Sequence, residues 1–202
     1  MTDALDTLRQ ADPALAAALD AAGPPVMRRR PGGYPGLFRI ICEQQLSVES
    51  ARAILARCEA RLPPITPQAV LSADEEDLRA CGLSRPKIRY ARLAAEAVES
   101  GALPLGALSS DDAEAAGQLT AVTGIGPWTA AIYLLFCEGR EDVWPRGDVA
   151  LLAAYAAASG FAAKPALKEF DAMASVRFAP YRGTAAHILW TYYAHLKGRR
   201  PG

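Results

Sequence analysis

Between two apolar helical runs the chain places Gly124-Ile125-Gly126-Pro127, and this turn restricts the fold more than any other segment. A backbone that reverses within about four residues needs φ > 0 at some position, which glycine adopts without a steric penalty. Pro127 suits the first turn of the following helix, where its missing N–H removes no hydrogen bond. Such a corner presents the amides of the second helix's first turn, backed by the helix dipole, to an approaching anion such as a phosphate. The carbonyls of Thr120, Val122 and Ile125, in the same corner, form a candidate site for a sodium or potassium ion. A plain turn between two bundle helices carries the same G-x-G, so the glycines alone do not decide between the two readings.

Almost every other segment also reads as helix. Asp12-Pro13 opens one with Leu15 and Leu19 on one face, closed by Gly23-Pro24-Pro25. Residues 36–44 form an apolar run, and Ser47 caps a longer one through Ala60. Leu62 to Pro67 is a proline-rich break. Asp74 to Ala80 is a short acidic helix stopped by Gly82, and Ser84 caps Arg85 to Glu99. Ser110 and Asp111 begin the helix that enters the glycine corner. Asp148 opens Val149 to Ser159, and the segments 165–174 and 180–196 complete the set. No alternating strand pattern of useful length is present. The expected fold is all-α, a single domain over 1–202 built as two helical lobes with a cleft between them.

Composition narrows the function. With 51% apolar residues the chain can bury a core, and disorder is not expected. No apolar run approaches the ~20 residues that span a bilayer, and no secretory signal opens the chain, so a cytoplasmic protein without membrane contact is expected. The sequence is silent on oligomeric state, and a monomer is the simplest expectation. Cys42, Cys58, Cys81 and Cys137 lack the tight pairs of a zinc or iron–sulfur site and read as reduced, mostly buried thiols. The net charge is zero, which argues weakly against general nucleic-acid binding by counterion release. Amides at a helix start need no net positive charge, so the glycine corner relaxes that objection. Basic residues cluster at Arg28-Arg29-Arg30, at Arg85, Lys87, Arg89 and Arg92, and at Lys197, Arg199 and Arg200; each cluster alone is an ordinary solvated surface.

Thr123-Gly124-Ile125-Gly126-Pro127-Trp128-Thr129-Ala130, then Asp142-Val143-Trp144 and Asp148, resemble the helix–hairpin–helix DNA glycosylases, in particular the 3-methyladenine DNA glycosylase II branch. Asp148 follows Trp128 by 20 positions, a spacing like that of the family's catalytic aspartate. Gln44-Gln45-Leu46-Ser47 is similar to the segment that enters the DNA where the base has left. Gly82-Leu83-Ser84-Arg85-Pro86-Lys87 and the stretch from Pro180-Tyr181-Arg182-Gly183 to Trp190 match as well. The resemblance runs from about Pro35 to Leu196. With about 35 residues ahead of it, the extra N-terminal β-rich domain of some members is not expected.

The resemblance implies a monofunctional glycosylase acting in base excision repair. Trp128 stands where bifunctional relatives carry a nucleophilic lysine, so no amine is at hand for a Schiff base. The target base is flipped out of double-stranded DNA. Leu46, with Gln45 beside it, is the candidate wedge for the vacated space. Gly124, Ile125, Gly126, Thr129, Ser47, Arg85 and Lys87 are the remaining candidate DNA contacts. Asp148 is the candidate catalytic residue, a carboxylate that stabilises positive charge on the sugar or orients the attacking water. Asp is also a common N-cap; the two roles are compatible, since both use an ionised carboxylate. A cationic alkylated purine leaves readily without a strong general acid, and aromatic faces bind it. Trp128 leads as a wall of the base pocket, followed by Trp144, Tyr133 and Trp190. The competing readings are the same fold acting on uracil, hypoxanthine, ethenoadenine or a mismatched base, and a non-catalytic DNA-binding module. No cofactor is expected beyond the monovalent ion.

Overall fold

The computed structural model describes residues 2–161 and 164–198, and every regular element among them is helical. Arg199 and Arg200 of the third basic cluster lie outside the described residues. The chain divides into two compact units, one formed by 1–29 together with 139–202 and the other by 30–138. The first unit is thus discontinuous in sequence, with its N-terminal helices packed on the C-terminal ones.

The first unit begins with α1 (Thr2–Ala11), a helix absent from the sequence reading because the stretch is polar. Leu8 is fully buried, and burial of such a side chain, worth about 2 kcal/mol, gives this polar helix its hold. The buried Asp12 ends α1 and caps α2 (Pro13–Ala22), accepting from the amides of Ala14 at 2.8 Å and Leu15 at 3.3 Å. Its other oxygen takes the Tyr155 hydroxyl and the Arg177 guanidinium, both at 3.0 Å. The unit is completed by α10 (Val149–Ala158), α11 (Leu167–Arg177) and α12 (Arg182–Leu196), with α12 packed on α2 and α10. Leu15, Leu151, Phe170, Phe178 and Leu189 form its core.

The second unit holds α3 (Gly33–Glu43), α4 (Val48–Arg61), α5 (Pro67–Ser72), α6 (Glu75–Ala80), α7 (Arg85–Glu99), α8 (Asp112–Thr120) and α9 (Pro127–Tyr133). A π-helical turn, Leu134–Glu138, continues α9. Thr66 and Pro67 start α5 inside the proline-rich break, since a proline at the first turn favours a helix there. Ser84 precedes α7 without capping it through its side chain. Ser47 does cap α4, accepting from the Ser50 amide at 3.2 Å. Leu37, Phe38, Ile41, Leu78, Ile88 and Leu119 are fully buried here.

Candidate active site

The glycine corner lies in the second unit, between α8 and α9. Val122 donates to the Leu119 carbonyl at 3.2 Å and Ile125 to the Val122 carbonyl at 3.0 Å, which closes the turn. Gly124 has φ +95°, and a Cβ there would stand 2.2 Å from the ring of Tyr90 on α7. Both backbone and packing therefore require glycine at 124. Gly126 is different: its φ is −82° and a Cβ would meet nothing within 4 Å. Nothing inside the protein requires glycine at 126, and a bare backbone there suits an external ligand that must come close. Gly126 also stands at the N-cap of α9 with no side chain covering the first-turn amides. The Ile125 side chain is buried, so its contribution to a ligand is its main chain.

The end of α3 is tied to this corner. The Gln44 side-chain amide donates to the Gly124 carbonyl at 3.1 Å and to the Thr129 hydroxyl at 2.9 Å. Thr129 is thus buried and engaged from within. Gln45, the next residue, is exposed and has φ +54°, in the left-handed region that disfavours non-glycine residues. Leu46 and Val48 follow, 41% and 66% exposed. Two apolar side chains thus stand exposed beside a backbone position that is itself strained. Glu43, for which the sequence offers no role, pairs with Arg30 at 2.6 Å and Arg39 at 3.1 Å.

Thr120 ends α8 and Val122 and Ile125 follow, so their three carbonyls sit near the negative end of a helix dipole. Oxygen donors in that position suit a monovalent cation. Among the described residues, no group of three or more His, Cys, Asp or Glu side chains is arranged to hold a metal ion. Three of the four cysteines nevertheless meet in space. Cys42, in a hydrogen bond with Cys58 and buried beside it, is kept as a thiol. Burial pushes Cys137 up to about 11.

Asp148 lies in the first unit, at the N-cap of α10. One carboxylate oxygen accepts from the amides of Ala150 at 2.9 Å and Leu151 at 3.1 Å. The other accepts from the indole N–H of Trp190 at 3.2 Å. His187, one turn back on α12, packs edge-on against Trp190 with ring centroids 5.5 Å apart. Burial, helped by the charge of Arg28, lowers the His187 imidazole to about 4. The segment before Asp148 is anchored to α12: Arg182 donates to Asp142 through Nε and Nη2, both at 2.7 Å. Burial works to raise the Asp142 carboxyl, and the Arg182 guanidinium outweighs it, holding the group below the usual carboxylate range.

Two of the expected pocket walls are corrected. Trp144 is 6% exposed, packs against Phe170 and Phe178, and gives its indole N–H to Asp171 at 2.9 Å. Tyr133 is 0% exposed and its hydroxyl accepts from the Gly33 amide at 2.9 Å. Both serve their cores, which large aromatic rings fill well. Trp128 and Trp190 are half-buried, with surface to offer. Lys87 is half-buried, and its ammonium donates to the Cys42 carbonyl at the end of α3, 2.7 Å away, where it meets the negative end of that helix. Arg85 is exposed, with Glu75 3.8 Å away. Tyr90, beside the glycine corner, and Asp171, which holds Gly147, lie in no motif read from the sequence. Gln44, Asp142 and Arg182 lie within the matched motifs, but their partners are remote in sequence and no local pattern names them.

A family model for HhH-GPD superfamily base excision DNA repair proteins matches residues 38–179. The chain belongs to this superfamily. The DNA-3-methyladenine glycosylase 1 of Schizosaccharomyces pombe is 34% identical over 164 residues, covering 78% of this chain and 71% of that protein. The structure of a 3-methyladenine DNA glycosylase from the same yeast in complex with abasic DNA superimposes with a TM-score of 0.84, at 30% identity, over 93% of this chain and 95% of that one. A Bacillus halodurans DNA-3-methyladenine glycosidase gives a TM-score of 0.78 at 29% identity, over 98% and 93% of the two chains. The superfamily match spans the glycine corner, the turn at Gln45 and Leu46, and Asp148 alike. Among the described residues no helix is long and apolar enough to cross a membrane.

Proposed function

We propose that this protein is a monofunctional DNA glycosylase that removes alkylated purines of the 3-methyladenine type from double-stranded DNA and leaves an abasic site. The observation that carries the reading is the hold on Asp148, whose two oxygens take three donors from α10 and α12. A carboxylate fixed in this way is preorganised. As the bond between C1′ and the base nitrogen breaks, positive charge grows on the sugar, and a fixed anion stabilises it with no reorganisation at that moment. The same carboxylate can orient the water that adds to C1′. A base that already carries positive charge departs as a neutral purine, so no strong acid is required. The half-buried ring of Trp190, whose N–H also holds Asp148, suits such a cation.

The rest of the reading divides by element. The amides of the glycine corner take a phosphate, the three carbonyls beside it take sodium or potassium, and the turn at Gln45 and Leu46 fills the space the base leaves. Trp128 in the hairpin offers no amine for a Schiff base, which supports hydrolysis without strand cleavage. The protein acts as a monomer, in the cytoplasm.

The test is release of free base from methylated DNA by wild type and Asp148→Asn under single-turnover conditions. Loss of the carboxylate should slow release by about 10²- to 10³-fold. The product strand should stay intact until treated with alkali. A variant that releases base at the wild-type rate would sink the mechanism, and release of uracil or hypoxanthine instead would move the substrate class.

A further inference from the structure

The carboxylate of Asp148 ends the irregular segment 139–148, which has no regular hydrogen bonding of its own to fix it. A reacting group must be held to within a fraction of an ångström, so something outside the segment has to set its path. At its start, Glu141 accepts from the Gly183 amide at 2.8 Å and Asp142 from Arg182. At its end the anchor is Asp171 on α11. One Asp171 oxygen accepts from the indole N–H of Trp144 at 2.9 Å, and the other from the backbone amide of Gly147 at 2.9 Å. Trp144 is itself clamped between Phe170, the neighbour of Asp171, and Phe178, with ring centroids 5.5 and 5.8 Å away.

From the hydrogen-bonded Gly147 nitrogen to the peptide plane that carries Asp148, only the φ and ψ of Gly147 can rotate. Fixing that nitrogen therefore narrows the approach of Asp148 from upstream to those two rotations, while Ala150, Leu151 and Trp190 fix its oxygens from downstream. Asp171 offers one oxygen to a side chain and one to the main chain of the same segment, a pairing that sets the segment's height along α11 and its rotation together. We infer that Asp171 is a positioning residue for Asp148, acting through Gly147 and Trp144 and touching neither substrate nor the reacting bond. The inference rests on the role given to Asp148 above.

Asp171→Asn keeps an acceptor for one of the two donors and turns an N–H toward the other. Its single-turnover rate of base release should fall roughly 10- to 100-fold, with affinity for abasic-site DNA changed by less than about two-fold, since the residue holds the reacting geometry and not the strand. In an Asp148→Asn background the same substitution should cause no further loss. A residue that merely stabilised the fold would lower both backgrounds alike. Wild-type rates in Asp171→Asn, or equal losses in the two backgrounds, overturn the inference and leave the glycosylase reading standing. No base release by wild type, or undiminished release by Asp148→Asn, defeats that reading and takes the inference with it. Should Asp171→Asn fail to fold, Trp144→Phe removes the indole donor and leaves the Gly147 bond. It should give a smaller rate loss that also vanishes in the Asp148→Asn background, and an equal loss in both overturns the inference.

Discussion

The two glycines of the hairpin look alike in sequence and are held there by different forces. At Gly124 a methyl group would enter the Tyr90 ring and strain a φ of +95°. Gly124→Ala should therefore destabilise the fold by about 1–3 kcal/mol, seen as a lower denaturation midpoint. At Gly126 the methyl has open space and an ordinary φ. Gly126→Ala should leave the midpoint almost unchanged and weaken DNA binding, read by fluorescence anisotropy; unaltered binding would remove the corner from the interface. The aromatic residues teach the converse. Trp128, Trp144 and Tyr133 are all candidates by residue type, and burial separates the half-buried Trp128 from Trp144, packed against Phe170 and Phe178, and from the fully buried Tyr133. Likewise the positive charge of Lys87 was legible, and its commitment to the Cys42 carbonyl was not.

Among the elements, those with local start and stop signals were legible: α2 from Asp12-Pro13, α8 from Asp111, α10 from Asp148. Helix α1 was not, because a polar stretch becomes helical here through the burial of Leu8 against other helices, a tertiary term. Helix α12 carries a consequence of the same kind. His187 faces inward on it and titrates near 4, against about 6.5 when unfolded. Above pH 6.5 both states are neutral and the contribution is complete. As the pH falls toward 4 the unfolded chain binds a proton that the folded one refuses, and stability on the order of 3 kcal/mol is lost. Urea midpoints between pH 7 and 4.5 should show this slope in wild type and a shallower one in His187→Gln. Equal slopes would mean that the imidazole is not held neutral.

For the whole molecule, a net charge of zero sets the expectation for DNA binding. If helix-terminal amides supply much of the phosphate grip, few counterions are released. The logarithm of affinity should then fall with the logarithm of salt with a slope no steeper than about −4. A slope nearer −10 would point to a basic surface instead. Taken alone, the sequence determined the all-α class, the reversal at 124–126 and the starts of α2, α8 and α10, each set by φ preferences, capping groups and apolar spacing that act within a few residues; Asp148 as the carboxylate to watch came from the family resemblance. The tertiary structure alone decided which side chains keep exposed surface and which partners hold them. Gln44 reaches Gly124 and Thr129 across 80 and 85 positions, Trp190 reaches Asp148 across 42, and Asp171 holds Gly147 across 24. Contacts over such separations depend on how whole helices pack, and helix packing is set by the summed burial of many side chains, which no single motif encodes.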